Sequence, residues 1–542
     1  MTSARSSPFQ VVPETGLSRR AETLILLAAS LLFLILVLRT FGPDSVYTHF
    51  HSDGAILILM ANDDRPITVY DTYYYASDRW GTWPLIIAKA LHQNIGLYWT
   101  DHSLHYARTI SIFFGLLVLA GLNARAAPAV IVSGLIALCL EPTSTRLMFD
   151  VSQLHNWQAI LLFLAWFCLR YFLAQRLRSD EPKSVHVHGI FWGAAFYLCA
   201  FLAIWISVPS VPLLAVLITL EALRSHYLFK KPITTRRIGL AILLLLTATA
   251  SEFLLKKNYH RYSLKRFGND FKTGLSFDFE YLYQNLLENW YNIFHFKMFL
   301  LIILALSFLV GIAGLIFYAL VAGKPPLLTG VISYFKDETV TMIVALSAMT
   351  AINFVLAISA NHVRLSVYNV RFHTLTYLFG SIGGLLTIYL AIRVFANRMA
   401  VSRYVLPALL VCAFIFLGVA FPPRAQSEGY KVDQQIALTL SQKAPGAVLL
   451  GGYWEIYVFV VLQPANTMTP VPVEGVLNRM PWTLDTLRDS RQVVVEYRKS
   501  GIVQNDSVPP NELLQYGRLL KLQEARFYEN GPYAFALYLN EP

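Results

Sequence analysis

Long apolar runs alternate with short polar loops along most of this chain. The first run, AETLILLAASLLFLILVLR, covers residues 21–39. Further runs lie near 105–122, 126–142, 155–176, 188–206, 208–224, 238–254, 297–320, 340–358, 373–394 and 403–421. An apolar run of roughly 20 residues is long enough to cross a bilayer as a helix. The pattern therefore predicts a polytopic α-helical membrane protein with about eleven transmembrane helices.

The charges between the runs predict the orientation of the chain. Residues 1–20 are polar and end in Arg19 and Arg20, and no small-residue cleavage site follows the long first run. We therefore expect a cytoplasmic N-terminal tail at 1–20 and a transmembrane domain at 21–421. Alternate loops then fall in the cytoplasm and are short and basic, as the positive-inside rule requires. Their basic residues are Arg125, Arg176, Arg178, Lys230, Lys231, Arg236, Arg237, Lys324, Arg393, Arg398 and Arg403.

Three segments are predicted on the outer side of the membrane. The first loop, residues 40–104, is long and rich in acidic and aromatic residues. The basic segment, residues 255–296, begins KKNYHRYSLKRFGNDFK and places cations where they are usually scarce. A cation cluster beside a membrane suits an anionic lipid headgroup, although long translocated loops also escape the charge rule. The third segment is NHVRLSVYNVRFH, residues 361–373.

The composition of the chain changes after residue 421. Residues 422–542 begin with Pro422 and Pro423 and mix polar and apolar positions. GAVLLGGYWEIYVFVVL, RQVVVEYR and YAFALYLN predict strands, whereas VDQQIALTLSQ and PPNELLQYGRLLKLQ predict helices. We expect a small α/β C-terminal domain on the outer, periplasmic face of a bacterial inner membrane.

Composition supports the membrane class and excludes others. Hydrophobic residues make up 56% of the 542 residues, charged residues only 14%, and mean hydropathy is +0.49. The net charge of +11 is spread over short loops, so it does not indicate nucleic-acid binding. The four cysteines all lie within apolar runs, which excludes a disulfide framework and a paired-cysteine metal site.

Acidic residues in the first loop are candidates for chemistry. Asp53 directly precedes GAILILMAN, which predicts a short helix at the membrane interface, and aspartate is a favoured N-cap residue. Asp53 is therefore a helix cap, a reactive carboxylate, or both. Asp63 and Asp64 would lie at the C-terminal end of that helix, where acids oppose the helix dipole. A turn before Arg65-Pro66 explains those two residues.

Aromatic residues alternate with carboxylates further along the first loop. Asp71 and Asp78 flank a run of three tyrosines, and Trp80 and Trp83 follow; the tyrosines are Tyr73, Tyr74 and Tyr75. Aromatic residues anchor proteins at headgroup level. The same combination also suits a sugar-binding cleft, where rings stack on the sugar and acids bind its hydroxyls. PLIIAKALHQNIGLYW, residues 84–99, predicts an amphipathic interfacial helix.

This order of features resembles the GT-C membrane glycosyltransferases, which include the protein mannosyltransferases and the bacterial lipid A aminoarabinose transferase. The features are one span, an acid directly after it, a long outer loop with interfacial helices, many further spans and an outer C-terminal domain. The resemblance covers nearly the whole chain. It implies a GT-C-like fold and transfer of a sugar from a polyprenyl-phosphate donor to a lipid, glycan or protein acceptor.

The resemblance also implies roles for particular residues. Asp53 would be the general base that accepts the proton of the acceptor hydroxyl, and Tyr74 and Trp80 would contact the sugar. Cations would stabilise charge on the departing phosphate. The residues nominated for that phosphate are Lys256, Lys257, His260, Arg261, Arg364 and Arg371; His362 and His373 are weaker candidates, and Glu141, Asp150 and His155 could line the cleft.

The chain departs from the family pattern at one position. Family members often carry Asp-Asp or Asp-Glu where this chain has Asp53-Gly54. We take Asp78, in YYASDRWG, as the second catalytic acid, with Asp63, Asp64 and Asp71 as alternatives. Whether a divalent cation takes part is left open by the sequence.

Two other classes of function remain in competition with the enzyme. A transporter or flippase of lipid-linked saccharides usually needs ionisable groups or broken helices near mid-membrane. Here Glu221 and Glu252 lie towards the ends of their predicted spans, which favours the enzyme. A non-catalytic envelope assembly protein would not depend on Asp53.

The orientation is testable with a fusion at the C-terminus. A reporter that is active only in the cytoplasm, joined after Pro542, should give no signal, because the odd number of predicted spans places this end outside. The same reporter joined within the loop near Arg236 should be active. A strong signal after Pro542 would contradict the predicted topology and the outer position of Asp53.

Overall fold

The computed structural model of the chain describes residues 19–41, 52–75, 81–123, 126–140, 145, 148, 153–174, 182–229, 232–267, 278–288, 338–360, 370–396, 404–420, 428–464, 467–476, 478–500, 502 and 508–540. Most of these residues are helical. The helices are α1 Arg19–Phe41, α2 Ser52–Ala61, α3 Trp83–Ile95, α4 Asp101–Gly121, α5 Ala127–Leu140, α6 Trp157–Ala174, α7 Pro182–Ile206, α8 Ser210–Phe229, α9 Pro232–Phe267, α10 Phe279–Glu288, α11 Glu338–Ser359, α12 Thr374–Ala396, α13 Val405–Ala420, α14 Glu428–Lys443, α15 Tyr453–Val461 and α16 Thr483–Asp489.

The chain forms two compact units. The helical unit comprises Met1–Arg39, Ala107–Lys256 and Thr273–Pro422. The second unit combines Thr40–Tyr106, Lys257–Lys272 and Pro423–Pro542. We call it the loop unit, because it joins the first loop and the start of the basic segment to the C-terminal domain.

Apolar helices build the helical unit. Six helices in the described part of the chain are long and apolar enough to cross a membrane, and three shorter apolar helices accompany them. The chain is therefore an integral membrane protein. Every predicted span except 297–320 coincides with a helix, and 297–320 lies outside the described residues. The number eleven and the orientation thus stay predictions.

A buried ion network joins three helices of the helical unit. Glu221 on α8 accepts hydrogen bonds from Trp166 Nε1 at 2.8 Å and from Arg170 Nη2 at 2.6 Å, both on α6. Arg224 pairs with Glu221 at 3.2 Å and with Glu338, at the start of α11, at 2.6 Å. Since a buried carboxylate is costly unless it is paired, these contacts fix how the three helices pack.

The basic segment begins as a helix and not as a loop. Helix α9 continues through the predicted span 238–254 and ends only at Phe267. Lys256, Lys257, His260 and Arg261 are therefore held on a helix. At 100° per residue they fall within roughly 140° of its circumference.

The C-terminal domain has the predicted α/β architecture. Its strands are β1 Val448–Gly451, β2 Thr469–Pro472, β3 Gln492–Glu496, β4 Glu512–Gln515, β5 Arg518–Asn530 and β6 Tyr533–Asn540. They form one sheet in the order β2-β1-β3-β6-β5-β4. Strand β1 pairs in parallel with β2 and β3, whereas the other pairs are antiparallel. Valines and leucines on the inner positions build the core.

Two element predictions in the C-terminal domain are wrong. PPNELLQYGRLLKLQ was expected to be a helix and instead contains the hairpin of β4 and β5. Its turn residues Tyr516 and Gly517 both have positive φ, 50° and 74°, as a two-residue type I′ hairpin turn requires. The hydroxyl of Tyr516 donates to the carbonyl of Pro472 at 2.8 Å, which helps to hold a non-glycine residue in this conformation.

The second wrong element is the long strand expected over GAVLLGGYWEIYVFVVL. The chain leaves the sheet at Gly451, and YWEIYVFVV forms α15. A Cβ atom on Gly451 would lie 2.9 Å from Ile456 Cγ2 and 3.0 Å from Glu496 Cβ, so only glycine fits this close approach. The turn at Gly451-Gly452 places Tyr453 at the start of α15.

Candidate functional site

The first loop is folded and largely buried. Residues Ala55 to Ala61 of α2 are at most 6% exposed, so the apolar side chains of this helix pack against protein. Helix α2 packs on α3 and on α15 of the C-terminal domain. A 3₁₀ turn at Val69–Thr72 follows, and Thr68 and Asp71 form a capping box at its start. The helix predicted at 84–99 is α3, which ends with Gly96 in the left-handed conformation.

A buried lysine organises this loop. Lys89 Nζ on α3 donates to Asp63 Oδ2 at 2.7 Å and to Asp71 Oδ1 at 2.9 Å, and its side chain is 1% exposed. The hydroxyl of Tyr75 lies within hydrogen-bonding distance of both carboxylates, at 3.1 and 2.9 Å. An ammonium group can be buried here because two carboxylates compensate it. We call Lys89, Asp63, Asp71, Tyr75 and Arg65 the lysine cluster.

The charges of the lysine cluster shift the titration of its members. Burial alone would raise the pKa of Asp63, but hydrogen bonds and charge from Arg65 and Lys89 outweigh burial and lower it below its ordinary value. Burial and the two carboxylates raise the pKa of Tyr75 well above its ordinary value, so its phenol keeps its proton and remains a donor. Arg65 N also donates to Asp63 Oδ1 at 3.1 Å, as the predicted turn requires.

Aromatic rings join the first loop to the C-terminal domain. Tyr70 and Tyr75 stack with ring centroids 5.1 Å apart, and Trp482 meets Tyr75 edge-on at 4.8 Å. The guanidinium of Arg65 lies 3.2 Å above the Trp482 ring, a cation–π contact. Tyr259 of α9 stacks on Tyr70 at 5.8 Å. Segments far apart in sequence thus share one packed core in the loop unit.

Asp53 lies beside this core, as the second residue of α2. Its Oδ1 accepts hydrogen bonds from the hydroxyls of Tyr74, at 3.1 Å, and Tyr453, at 3.0 Å. Tyr453 in turn accepts a hydrogen bond from Arg479 Nε at 3.3 Å. The carboxylate is only half-buried. We call Asp53, Tyr74, Tyr453 and Arg479 the Asp53 centre.

The electrostatics of the Asp53 centre keep its phenols protonated. Burial, followed by the charge of Asp53, raises the pKa of Tyr74 well above its ordinary value. Burial also raises the pKa of Tyr453, although Arg479 opposes this. Arg479 itself is 8% exposed and lies 5.1 Å over the Tyr74 ring, with Nη1 donating to the carbonyl of Tyr75 at 3.1 Å. The centre therefore presents a carboxylate that accepts two hydroxyl donors beside a permanent cation.

The structure brings some predicted residues together and separates others. Asp53 and Tyr74 meet at the Asp53 centre. On α9, Lys257 and Arg261 are exposed, whereas Lys256 and His260 are half-buried. Asp71 and Asp63, alternatives for the second acid, belong to the lysine cluster, and Asp64 is exposed beside His92 at 3.1 Å. His373 is buried in the helical unit.

Several predicted residues cannot be placed. Asp78, Trp80, Arg364, His362, Glu141 and Asp150 lie outside the described residues, and the side chains of Arg371 and His155 are not described. Among the described residues, no group of three or more His, Cys, Asp or Glu side chains could hold a metal ion. The second acid and the divalent cation thus remain open.

Sequence reasoning missed three residues of these two groups. Lys89 lies in a segment predicted as an amphipathic interfacial helix, and no local pattern indicates that it pairs with Asp63 and Asp71. The strand predicted over GAVLLGGYWEIYVFVVL includes Tyr453, although the preceding Gly451-Gly452 pair is a signal that the chain turns there. Arg479 lies in a loop of mixed composition, and no local pattern marks it.

Comparison with known proteins finds similarity in structure alone. No protein-family model and no curated protein matches the sequence. The chain is similar to ArnT from Cupriavidus metallidurans bound to undecaprenyl phosphate, with 13% identity and a TM-score of 0.41 over 96% of this chain and 98% of that one. It is also similar to the oligosaccharyltransferase AglB from Archaeoglobus fulgidus in complex with an inhibitory peptide and a dolichol-phosphate. That identity is 11%, with a TM-score of 0.44 over 89% of this chain and 70% of that one.

The lysine cluster predicts a large loss of stability on removing its cation. Lys89→Met should lower the free energy of unfolding by about 3–5 kcal/mol, because Asp71 and Asp63 both lose the ion pair with the buried ammonium group. Lys257→Met, at an exposed position of α9, should change it by less than about 0.5 kcal/mol. Thermal unfolding of the purified protein in detergent measures both.

The pH dependence of Lys89→Met gives a second readout. Asp63 has a lowered pKa in the folded protein, so its stabilising contribution is present above its ordinary pKa and lost as the pH falls through the folded value. The stability difference between Lys89→Met and the unmodified protein should therefore narrow at acid pH. A difference that stays constant with pH would contradict an electrostatic role for Lys89.

Proposed function

We propose that this protein is a membrane glycosyltransferase that moves a sugar from a polyprenyl-phosphate donor to a lipid, glycan or protein acceptor at the outer face of the membrane. The observation that carries the proposal is the Asp53 centre, in which a half-buried carboxylate at the start of a first-loop helix accepts hydrogen bonds from two tyrosines. The polytopic apolar chain and its sequence resemblance to GT-C enzymes support the same assignment.

Asp53 would act as the general base. Its carboxylate would accept the proton of an acceptor hydroxyl, whose oxygen would bond to the anomeric carbon while the bond from that carbon to the phosphate oxygen breaks. Polyprenyl phosphate would leave with the bonding electron pair. General-base catalysis requires a positioned carboxylate within hydrogen-bond reach of the proton, and the two phenol donors supply that positioning for Asp53.

Cations on one side of α9 would receive the leaving phosphate. Lys256 and Lys257 are adjacent on a helix that continues from an apolar span, and Arg261 follows Lys257 by one turn. A lipid tail within the membrane would bring its phosphate to this level of the helix. Charge-assisted contacts would then stabilise the developing negative charge. Asp78, Trp80, Arg364 and Arg371 keep the roles predicted for them.

The two alternative functions, transport of lipid-linked saccharides and non-catalytic envelope assembly, have less support than the glycosyltransferase. In the described part of the helical unit, Glu221 is engaged by Arg170 and Arg224. A carboxylate held in two ion pairs is less available to bind a transported ion or solute, because breaking such pairs costs several kcal/mol. A scaffold needs no partly accessible carboxylate with two hydroxyl donors. Each alternative predicts that sugar transfer in purified protein is absent.

The general base is tested by one substitution. Asp53→Asn should lower sugar transfer by about 10²- to 10⁴-fold, since the amide cannot accept the proton. Protein abundance should stay nearly unchanged, because the amide has the shape of the carboxylate and its oxygen can still accept the hydrogen bonds from Tyr74 and Tyr453. The assay is transfer of labelled sugar from a polyprenyl-phosphate donor by protein in membranes. Asp485→Asn, with a side chain that is 74% exposed, is the control and should keep full activity. Full activity in Asp53→Asn would favour the capping role alone.

The phosphate site is tested by two sets of substitutions on α9 and beyond. Neutralising Lys256, Lys257 and Arg261 together should raise the donor concentration needed and slow transfer at least tenfold, because one charge-assisted contact contributes about 1.5–3 kcal/mol. Neutralising Lys265, Arg266 and Lys272 should matter less. If both sets of substitutions leave transfer unchanged, the phosphate must bind elsewhere, and Arg364 and Arg371 are the next candidates. Arg371→Lys would test a bidentate contact, because it keeps the charge but removes the planar fork.

A further inference from the structure

The C-terminal domain reaches the reacting carboxylate of the proposed enzyme. Tyr453 is the first residue of α15, and its hydroxyl donates to Asp53 Oδ1 at 3.0 Å, across a sequence separation of 400 residues. Tyr74 of the first loop donates to the same oxygen at 3.1 Å. Two donors on one oxygen fix the rotation of the carboxylate about its bond to Cβ, and with it the direction in which the group can accept a proton.

Arg479 holds Tyr453 in the orientation that this contact needs. Its Nε donates to the Tyr453 hydroxyl at 3.3 Å, so the hydroxyl oxygen is occupied as an acceptor and its proton is directed to Asp53. Arg479 is fixed in turn on both sides. Its Nη1 donates to the carbonyl of Tyr75, and its backbone N–H donates to the hydroxyl of Tyr457 at 3.3 Å.

The backbone supports the same arrangement. Gly451 and Gly452 let β1 turn directly into α15, and no side chain could replace Gly451 without meeting Ile456 and Glu496. The hydroxyl of Tyr70 donates to the carbonyl of Arg479 at 3.4 Å, and Trp482 lies against Tyr70 and Tyr75. Helix α15 and the Arg479 loop are thus held to the first loop by contacts independent of Asp53.

We infer that Tyr453 and Arg479 are positioning residues for Asp53, and that the C-terminal domain is therefore a constituent of the catalytic site. The inference rests on the proposed function, since it assigns a role in that reaction. Neither residue takes part in bond making. Tyr453 orients the carboxylate, and Arg479 orients Tyr453.

Two measurements on the full-length protein test this inference. The first is sugar transfer by Tyr453→Phe, which deletes one O–H and keeps the ring. We expect kcat to fall about tenfold or more, as for loss of a hydrogen bond to a charged group. The KM for the polyprenyl-phosphate donor should stay within about twofold, because an interaction that acts in the chemical step affects kcat without weakening ground-state binding. Arg479→Lys should lower kcat in the same direction, since it loses Nε and the fixed planar fork.

A buried tyrosine elsewhere in the same domain is the matched control. The hydroxyl of Tyr538 donates to the carbonyl of Pro510 at 2.8 Å, within the core of the sheet. Tyr538→Phe also deletes one hydrogen-bonded O–H from the C-terminal domain. It should leave kcat unchanged, which separates loss of positioning from general loosening of the domain.

The second measurement detects the contact without any activity. Thermal unfolding is compared for Asp53→Ala, Tyr453→Phe and the double variant. If the side chains contact each other, the two shifts in Tm should not be additive, because either change removes the same hydrogen bond. Asp53→Ala and Tyr538→Phe should be additive.

The outcomes distinguish this inference from the proposed function. A lower kcat for Tyr453→Phe together with non-additive Tm shifts supports it. An unchanged kcat for Tyr453→Phe overturns the inference, and so does a lower kcat with additive Tm shifts. In either case the proposal that Asp53 is the general base still stands. If the unmodified protein transfers no sugar from any polyprenyl-phosphate donor, the proposed function fails. The inference then fails with it, even where the unfolding data show the contact.

Discussion

A buried ammonium group sets the structure of the loop unit. Lys89 is enclosed by protein, and the free energy of burying its charge is recovered only if carboxylates lie within hydrogen-bonding distance. Asp63 and Asp71 provide these carboxylates, and they lie at the two ends of residues 63–71 of the first loop. Residues 63–71 must therefore fold back on α3, which carries Lys89. Once it does, Tyr70, Tyr74 and Tyr75 are placed between α3 and the C-terminal domain, and Tyr74 reaches Asp53.

Local patterns predicted the parts of this protein whose structure depends on local physics. Apolar runs of membrane-spanning length gave the helices, since burial in lipid requires that length and composition. The acid before GAILILMAN and the helix after it were also predictable, because an N-terminal carboxylate and an apolar run are both short-range signals. VDQQIALTLSQ and RQVVVEYR showed helical and strand periodicity and adopt those structures.

The remaining features depend on partners distant in sequence. The periodicity of ELLQYGRLLK fits a helix, and only the positive φ values of Tyr516 and Gly517 distinguish it as a hairpin. GGYWEIYVFVV is rich in strand-forming residues, yet it forms a helix because Gly451 must approach Glu496 and Ile456 closely. The contact between Asp53 and Tyr453 could not be predicted from the sequence, because no local pattern near either residue indicates its partner. The first loop is likewise buried by packing against the C-terminal domain, which begins more than 300 residues later in the sequence.

The sequence separation between Asp53 and Tyr453 has a consequence for the making of this protein. The two residues that meet at the carboxylate are 400 residues apart, and translation at about 5–20 residues per second takes roughly 20–80 s to cover that distance. During most of this time the first loop has been synthesised, but Tyr70, Tyr74 and Tyr75 lack their contacts with the C-terminal domain. The nascent protein thus carries an incomplete Asp53 centre until the C-terminal domain has been synthesised and folded. Only then can Tyr453 and Arg479 contribute their hydrogen bonds to the centre.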